Sequence, residues 1–494
     1  MAKQQAKDEG GAAATTELTL LDRIVSEGRM ARDDAQVTYA KNLVGELASQ
    51  ILAQEMTVSS DTVAMINARI ARIDELLSAQ LNEIMHHDDF QRLEASWRGL
   101  TYLVMNSETG TRLKIRVLAA TRKEVLDDLE KAVEFDQSGL FKKLYEEEYG
   151  TFGGHPYSCL IGDYEFGRHP QDIETLKKIA SVAAAAHAPF IAAASPRLFD
   201  MDGFTELGNP RDLAKIFEST ELTSWRSFRE MEDSRYVALV LPHILMRLPY
   251  GPDTKPVDSF NFVEDVDGRD HAKYLWGNAA YALGQRITNA FSLYGWPAAI
   301  RGVEGGGMVE GLPTHTFRTD EGDIALKCPT EIAITDRREK ELNDLGFIAL
   351  CHCKGTDYSA FFGGAAVQKA KLYNTPQANA NARISAQLPY VLAASRFAHY
   401  LKVMMRDKVG SFMTRGNVHR FLNTWIADYV LLNDDAPQAA KAQMPLREAR
   451  VDVVEVAGKP GVYQATVFLK PHFQLEELTA SMRLVAELPP PAAA

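Results

Sequence analysis

Cysteine is scarce in this chain: four in 494 residues, at positions 159, 328, 351 and 353, without the spacing of a disulfide framework. No Asn-x-Ser/Thr acceptor occurs, and the first residues are polar, with no apolar stretch of the kind a signal peptide needs. The most apolar run, Val182 to Ala194, is interrupted by His187 and Pro189 and is too short to span a bilayer. Positive charge is in deficit as well. A net charge of −12 and a pI near 5.6 argue against a nucleic-acid partner and against docking on an anionic membrane. These absences together lead us to expect a soluble, cytoplasmic protein.

Catalytic signatures are equally thin. Gly-Lys-Ser/Thr, His-Glu-x-x-His, Gly-x-Ser-x-Gly and Cys-x-x-Cys do not occur. The glycine loop "RGVEGGGMVEGLP" fails the dinucleotide pattern, because the third glycine would fall on Glu310. Glu304 and Glu310 would also repel a phosphate, so a tight structural loop is expected there. "CHCKG" puts Cys351 and Cys353 on one face of a strand and His352 on the other, with no second Cys/His pair to close a zinc site. In "MHHDDF" adjacent residues diverge by about 100° on a helix and cannot converge on one ion. No cofactor and no metal are expected. An α/β enzyme with a ligand crevice beside "GDYEFGR" is the competing reading.

What is present is a foldable composition, 46% hydrophobic and 24% charged. Residues 1–16 hold almost no large apolar side chain and are expected to be a disordered tail. "LTLLDRIVSEGRM" follows. Leu18, Leu20, Leu21, Ile24 and Val25 fall on one side of a helical wheel, with Thr19 and Asp22 as a start signal and Gly28 as a stop. Val63, Ile66, Ile70, Ile73, Leu77, Leu81 and Ile84 then recur at three- and four-residue steps, a seam suited to another helix. Phe90, Leu93, Trp97, Leu100 and Leu103 continue the helical pattern.

From about 111 the texture changes. "RLKIRVLAA" alternates and predicts a half-buried strand. "YSCLIGDY", "PFIAAAS" and "YVALVLP" are apolar runs separated by helical segments, which predicts βαβ units and a partly parallel sheet. A helix over 271–294, strands at "EIAIT" and "FIALCHC", and a helix at "DRREKELNDL" are expected next. Beyond 380, helices interrupted at Pro389 lead into "ARVDVVEVAGKPGVYQATVFLKP", two strands joined at a turn over 457–461. Residues 481–488, "SMRLVAEL", alternate as a possible third strand. A two-stranded sheet needs further strands or a cover, and its edge can accept a strand from another chain.

Phrases throughout the chain carry a resemblance. "LFKKLYEEEYGTFGGHPY", "FTELGNPRDLAKIFES", "IRGVEGGGMVEGLPTHTF", "CPTEIAITDRREKELNDLGFIALCHCKGTDYSAFF" and "ANARISAQLPYVLAASRFAHYLKVMMRDKVGSFM" resemble the large subunit of the contractile sheath of bacterial type VI secretion systems, collinearly from about 17 to 488. The resemblance implies a structural protein, not an enzyme, of mixed α/β (α+β) class, built like phage tail sheaths. It implies four regions: the tail 1–16, a helical region 17–110, an α/β sheath body 111–380, and C-terminal helices with linking strands over 381–494. It implies partners too: a small sheath subunit, further copies of the chain in a helical polymer, an inner tube, a baseplate and a AAA+ unfoldase, with no nucleic acid and no membrane insertion.

Two sets of residues acquire expected roles from that resemblance. Leu18, Leu21, Ile24 and Val25 would meet the unfoldase. Val451, Val453, Val462, Val467, Leu469 and Leu484 would take part in the inter-subunit strand linkage. The segment from Arg396 to Arg415 would lie near the inner bore.

Overall fold

The computed structural model describes residues 20–31, 33–52, 62–319, 321–411, 413–458, 461–472 and 474. The chain divides into two units, residues 1–81 with 256–263, and residues 82–255 with 264–494. In the first, α1 (Leu20–Glu27) is tied to α2 (Asp34–Leu52) by an ion pair between Asp22 and Lys41. Gly28 ends α1, its N–H bonded to the Ile24 carbonyl at 2.9 Å. The long helix α3 (Thr62–Met85) begins in this unit and runs into the second.

The second unit opens with α4 (Asp88–Met105), whose N-cap is His87, its side chain accepting from the Asp89 N–H. The polar "HHDD" stretch is therefore the junction between α3 and α4. α5 (Arg122–Lys131) is held by a capping box between Thr121 and Glu124. A six-stranded sheet follows. Its strands are β1 (Leu160–Phe166), β2 (Phe190–Ala194) reached through α6 (Pro170–Ala186), and β3 (Val237–Leu241). After α7 (Ala280–Tyr294) come β4 (Met308–Val309), α8 (Asp336–Asp344), β5 (Phe347–His352) and β6 (Ser359–Phe361). The order is β1-β2-β3-β5-β6-β4, parallel through β5 and antiparallel beyond.

Alternation across the pleat divides the interior in two. Phe190, Ala192, Val237, Leu239, Phe347 and Cys351 face a core roofed by α6 and crowded with aromatics such as Trp225 and Phe199. Ile191, Ala238, Val240, Ile348 and Leu350 face α7 on the other side. Cys351 is thus a buried small apolar residue, as its strand position implies. Gly99 of α4 lies against α7: a Cβ there would come within 2.3 Å of the Tyr281 ring, so only glycine permits the approach. The glycine loop is structural too. Gly302 (φ 68°) and Gly306 (φ 93°) adopt conformations that favour glycine, and the Gly302 N–H bonds to the Phe361 carbonyl at 2.7 Å.

Three local expectations fail. Residues 112–120 join no strand among the described residues; their alternation is met by side-chain ties, including Arg116 to Glu148 and Tyr164 to the Ala120 carbonyl. "EIAIT" forms no strand, only an isolated bridge at the neighbouring Thr330. The helix expected from 271 starts at Ala280, because the Asn278 side chain accepts the Ala280 N–H at 2.8 Å and Trp276–Gly277 pairs with Ile244–Leu245 instead.

The C-terminal part contains α9 (Pro376–Ser385) and α10 (Leu388–Asp407), separated at Ala386 and Gln387; Pro389 sits in the first turn of α10, where its missing N–H costs nothing. α11 (Arg415–Ala427) then packs on a hairpin of β7 (Leu446–Glu455) and β8 (Tyr463–Pro471). Trp296, Phe397, Val418, Leu422, Ile426, Leu446, Val451 and Val453 form the core of this module.

Candidate functional site

The hairpin is the first candidate. Val451 and Val453 are buried beneath α11, in this module's own core. Val467 and Leu469 on β8 are half-buried against the same core, while Val462 beside the turn is exposed. Leu484 and the whole stretch 481–488 lie outside the described residues. Of the two strands, β8 is the less covered.

One contributor escaped sequence reasoning. Asn423, in the middle of α11, accepts the Val451 N–H through Oδ1 at 3.0 Å and donates through Nδ2 to the Val451 carbonyl at 2.8 Å. A side-chain amide here occupies both main-chain groups of a strand residue, as a neighbouring strand would. Its helix carries several other polar residues, Asn417, His419, Arg420 and Thr424 among them, so nothing in the sequence singles Asn423 out.

The N-terminal candidate is split by the fold. Ile24 is exposed, whereas Val25 is 3% exposed and turned inward within its unit. Leu21 lies on α1, its side chain outside the described set, and Leu18 precedes the described residues.

α3 is inverted relative to an ordinary surface helix. Val63, Ile66, Ile70, Ile73 and Leu77 are all more than 40% exposed, while Asp74 and Ser78 are buried. Asp74 accepts from Asn261 at 3.2 Å within the same unit. A helix normally buries its aliphatic stripe and shows its polar face.

The bore-side expectation meets a set of cations already engaged. Lys402 Nζ lies 3.8 Å from the Tyr149 ring centroid and donates to the Tyr145 hydroxyl at 2.7 Å. Arg406 donates to the Tyr149 carbonyl at 3.0 Å, and Arg396 lies over Tyr400.

Two buried polar clusters could be mistaken for catalytic sites. At the carboxyl ends of β1 and β3, His243 is bonded through Nε2 to Glu165 at 2.7 Å and through Nδ1 to Glu331 at 2.5 Å. His271 approaches Glu331 at 3.3 Å. Burial alone would lower the His243 pKa, but the two carboxylates reverse this and push it up to about 10. Glu331, despite burial, is pulled down to about 2 by His243 and His271. An imidazolium with both nitrogens engaged has no lone pair for general-base work. Second, Arg247 sits between Glu264 (2.6 and 2.9 Å) and Glu94 (2.8 Å), with Arg98 also on Glu94 and His86 on Glu264. Among the described residues no group of three or more His, Cys, Asp or Glu is arranged to hold a metal ion, and no helix is long and apolar enough to cross a membrane.

The comparisons with known proteins can now be set beside this geometry. Residues 67–368 match the family described as EvpB/VC_A0108, tail sheath N-terminal domain, and residues 377–488 match its tail sheath gpW/gp25-like domain. The chain is 53% identical over 452 residues, 90% of each protein, to the type VI secretion system sheath protein TssC1 of Pseudomonas aeruginosa. The sheath of an extracellular contractile injection system in the contracted state aligns with a TM-score of 0.35 at 9% identity, covering 63% of this chain and 68% of that one. The contracted helical sheath of the anti-feeding prophage gives 0.30 at 11%, covering 62% and 66%. Structural likeness at that level carries no argument; the sequence matches do.

Proposed function

The chain belongs to the VipB (EvpB/VC_A0108) tail sheath family and is a contractile sheath subunit, and from that premise we propose that it acts as the large subunit, pairing with a small sheath subunit along α3. The observation that carries this reading is the inverted helix. Exposing five aliphatic side chains while burying Asp74 is unfavourable in an isolated chain, since each buried aliphatic side chain is worth about 1.5–3 kcal/mol. A partner helix laid in the seam removes that cost. Heterodimers so formed would polymerise around an inner tube, start from a baseplate, and drive the tube outward on contraction.

The test is negative-stain electron microscopy of the chain produced alone and together with the small sheath subunit of the same genome. Hollow tubules are expected only from the joint preparation. Small uniform particles in both preparations would overturn the reading. Within the tubules, Ile73→Glu with Leu77→Glu should abolish pairing.

A AAA+ unfoldase is the second proposed partner, reading α1 after contraction. Ile24 is exposed and available, while Val25 faces inward, so recognition requires either the Ile24 side of the helix alone or release of α1 from its unit. Leu21→Asp with Ile24→Asp is expected to lower unfoldase binding at least tenfold in a pull-down while tubules still form. Loss of the tubules as well would show that the face is needed for packing and not for recognition.

A further inference from the structure

Ser395, His399, Lys402 and Arg406 are spaced by three and four residues along α10 and so share one stripe of it. The stripe seats against three elements: the C-terminal end of α6, the turn over Asp233–Tyr236 and the helical turns over Lys142–Tyr149. α10 belongs to the stretch that matches the gpW/gp25-like domain, and the three elements to the stretch that matches the N-terminal sheath domain. This is a joint between the two.

His399 is its centre. It is 2% exposed, its Nε2 lies 3.0 Å from the Ala186 carbonyl, and its Nδ1 has no hydrogen-bond partner among the described residues. A carbonyl only accepts, so Nε2 carries the proton and Nδ1 the lone pair. His187, the left-handed residue that ends α6, lies 6.3 Å away between ring centroids, its Nδ1 3.2 Å from the Tyr236 hydroxyl. Tyr149 stands edge-on to both imidazoles, at 5.2 Å from His399 and 6.0 Å from His187. The charges around them are mostly positive. Lys402 is held over the Tyr145 and Tyr149 rings, Arg406 by the Tyr149 carbonyl and Arg396 by Tyr400, and among the described residues none of the three is ion-paired with a carboxylate. Arg235 and Asp233 act on Tyr236 from behind, and Asp233 accepts from the Ser181 hydroxyl at 3.2 Å.

A second proton on His399 would therefore go to a buried nitrogen that lacks an acceptor, among cations and beside another imidazole. Burial, with Arg396, His187 and Lys402, holds its pKa down at about 4 against the Ala186 carbonyl, which favours the charged form. Burial and Lys402 lower that of His187 as well. We infer that this joint is an acid-labile latch: a proton taken up by His399 releases the C-terminal half of α10 and the Lys142–Tyr149 turns from α6 while the sheet stays folded. His399 is neutral in the closed joint and returns to the ordinary value of 6.5 in the open one. Closure is thus complete above 6.5 and weakens as pH falls towards 4. The latch is internal to the chain and needs no partner.

Hydrogen–deuterium exchange of the full-length chain decides it, read by mass spectrometry on peptides covering 139–152 and 395–407 and corrected for the intrinsic pH dependence of amide exchange. One proton taken up on opening makes protection fall by up to about tenfold per pH unit, so a loss of at least about tenfold is expected between pH 6.5 and 4.5. Peptides covering β2 and β3 should remain protected at pH 4.5. His399→Gln, whose amide can still donate to the Ala186 carbonyl but cannot take up a proton, should cut the loss at the joint to about threefold or less. If H399Q fails to fold, His399→Leu, which packs but does not titrate, replaces it with the same expectation. A parent whose joint keeps its protection down to pH 4.5 would overturn the latch. So would loss of protection in β2 and β3 at the same pH as the joint, which is acid unfolding of the whole unit. An undiminished fall in H399Q or H399L would show that another group takes up the proton, and would overturn the assignment to His399.

Discussion

Arg247→Ala is expected to destabilise the second unit by about 3–5 kcal/mol, the usual cost of removing one partner from a buried ion pair. The size follows from what is left behind. Arg247 contacts Glu264 through both terminal nitrogens and Glu94 through Nε, and both it and Glu264 are nearly inaccessible to solvent. Without the guanidinium, among the described residues Glu264 keeps His86 and the Tyr250 N–H as close partners, and Glu94 keeps Arg98. Burial by itself would raise the Glu94 pKa; the Arg247 and Arg98 guanidiniums hold it below the usual carboxylate range. A group depressed in this way adds stability above its unfolded pKa and loses it as pH falls. R247A should therefore shift the acid unfolding limb to higher pH. The double variant Arg247→Ala with Glu264→Gln removes the orphaned charge and should recover part of the loss. Denaturation of the parent and both variants at neutral pH decides it: equal midpoints for parent and R247A would mean that the network is solvated and worth little.

This network also shows where the sequence stops being informative. Its members stand at 86, 94, 98, 247 and 264, with no local pattern linking them, so only the folded chain brings them together. Strands β2, β3 and β5 were legible because a strand buried on both faces must read as an apolar run, and "FIAAA", "VALVL" and "FIALC" do. Residues 112–120 misled for the complementary reason. Alternation reports two unlike faces, not the presence of a pairing neighbour. Of the residues expected to bind partners, Val451 and Val453 place their side chains in the module's own core. Asn423, which bonds both main-chain groups of Val451, imitates a neighbouring strand, and seeing that requires knowing what lies across from it. The seam of α3 was legible as a seam, yet its exposure beside a buried Asp74 emerges only from the structure.

His243→Gln should remove a pH dependence and lower stability. In the parent, His243 has its folded pKa raised from 6.5 to about 10. Above pH 6.5 the unfolded chain has lost this proton while the folded chain keeps it, so stability falls as pH rises, by about 1.4 kcal/mol per unit until the folded pKa is reached. Glu331 acts in the opposite direction, lowered from 4.5 to about 2, so its contribution is complete above 4.5 and disappears as pH falls towards 2. The clamp is therefore fully effective between about 4.5 and 6.5. Because the two groups are one coupled pair, their contributions are not summed. Glutamine in place of His243 leaves Glu165 and Glu331 without the cation that binds both, and Glu331 also holds the Phe204 N–H. A loss of about 3–5 kcal/mol at pH 6 is expected. Urea midpoints measured from pH 6 to 9 should fall steadily in the parent and stay nearly level in H243Q, the two curves converging at the alkaline end. Parallel curves would mean that His243 is neutral in the folded chain and that the ends of β1 and β3 are joined by neutral hydrogen bonds alone.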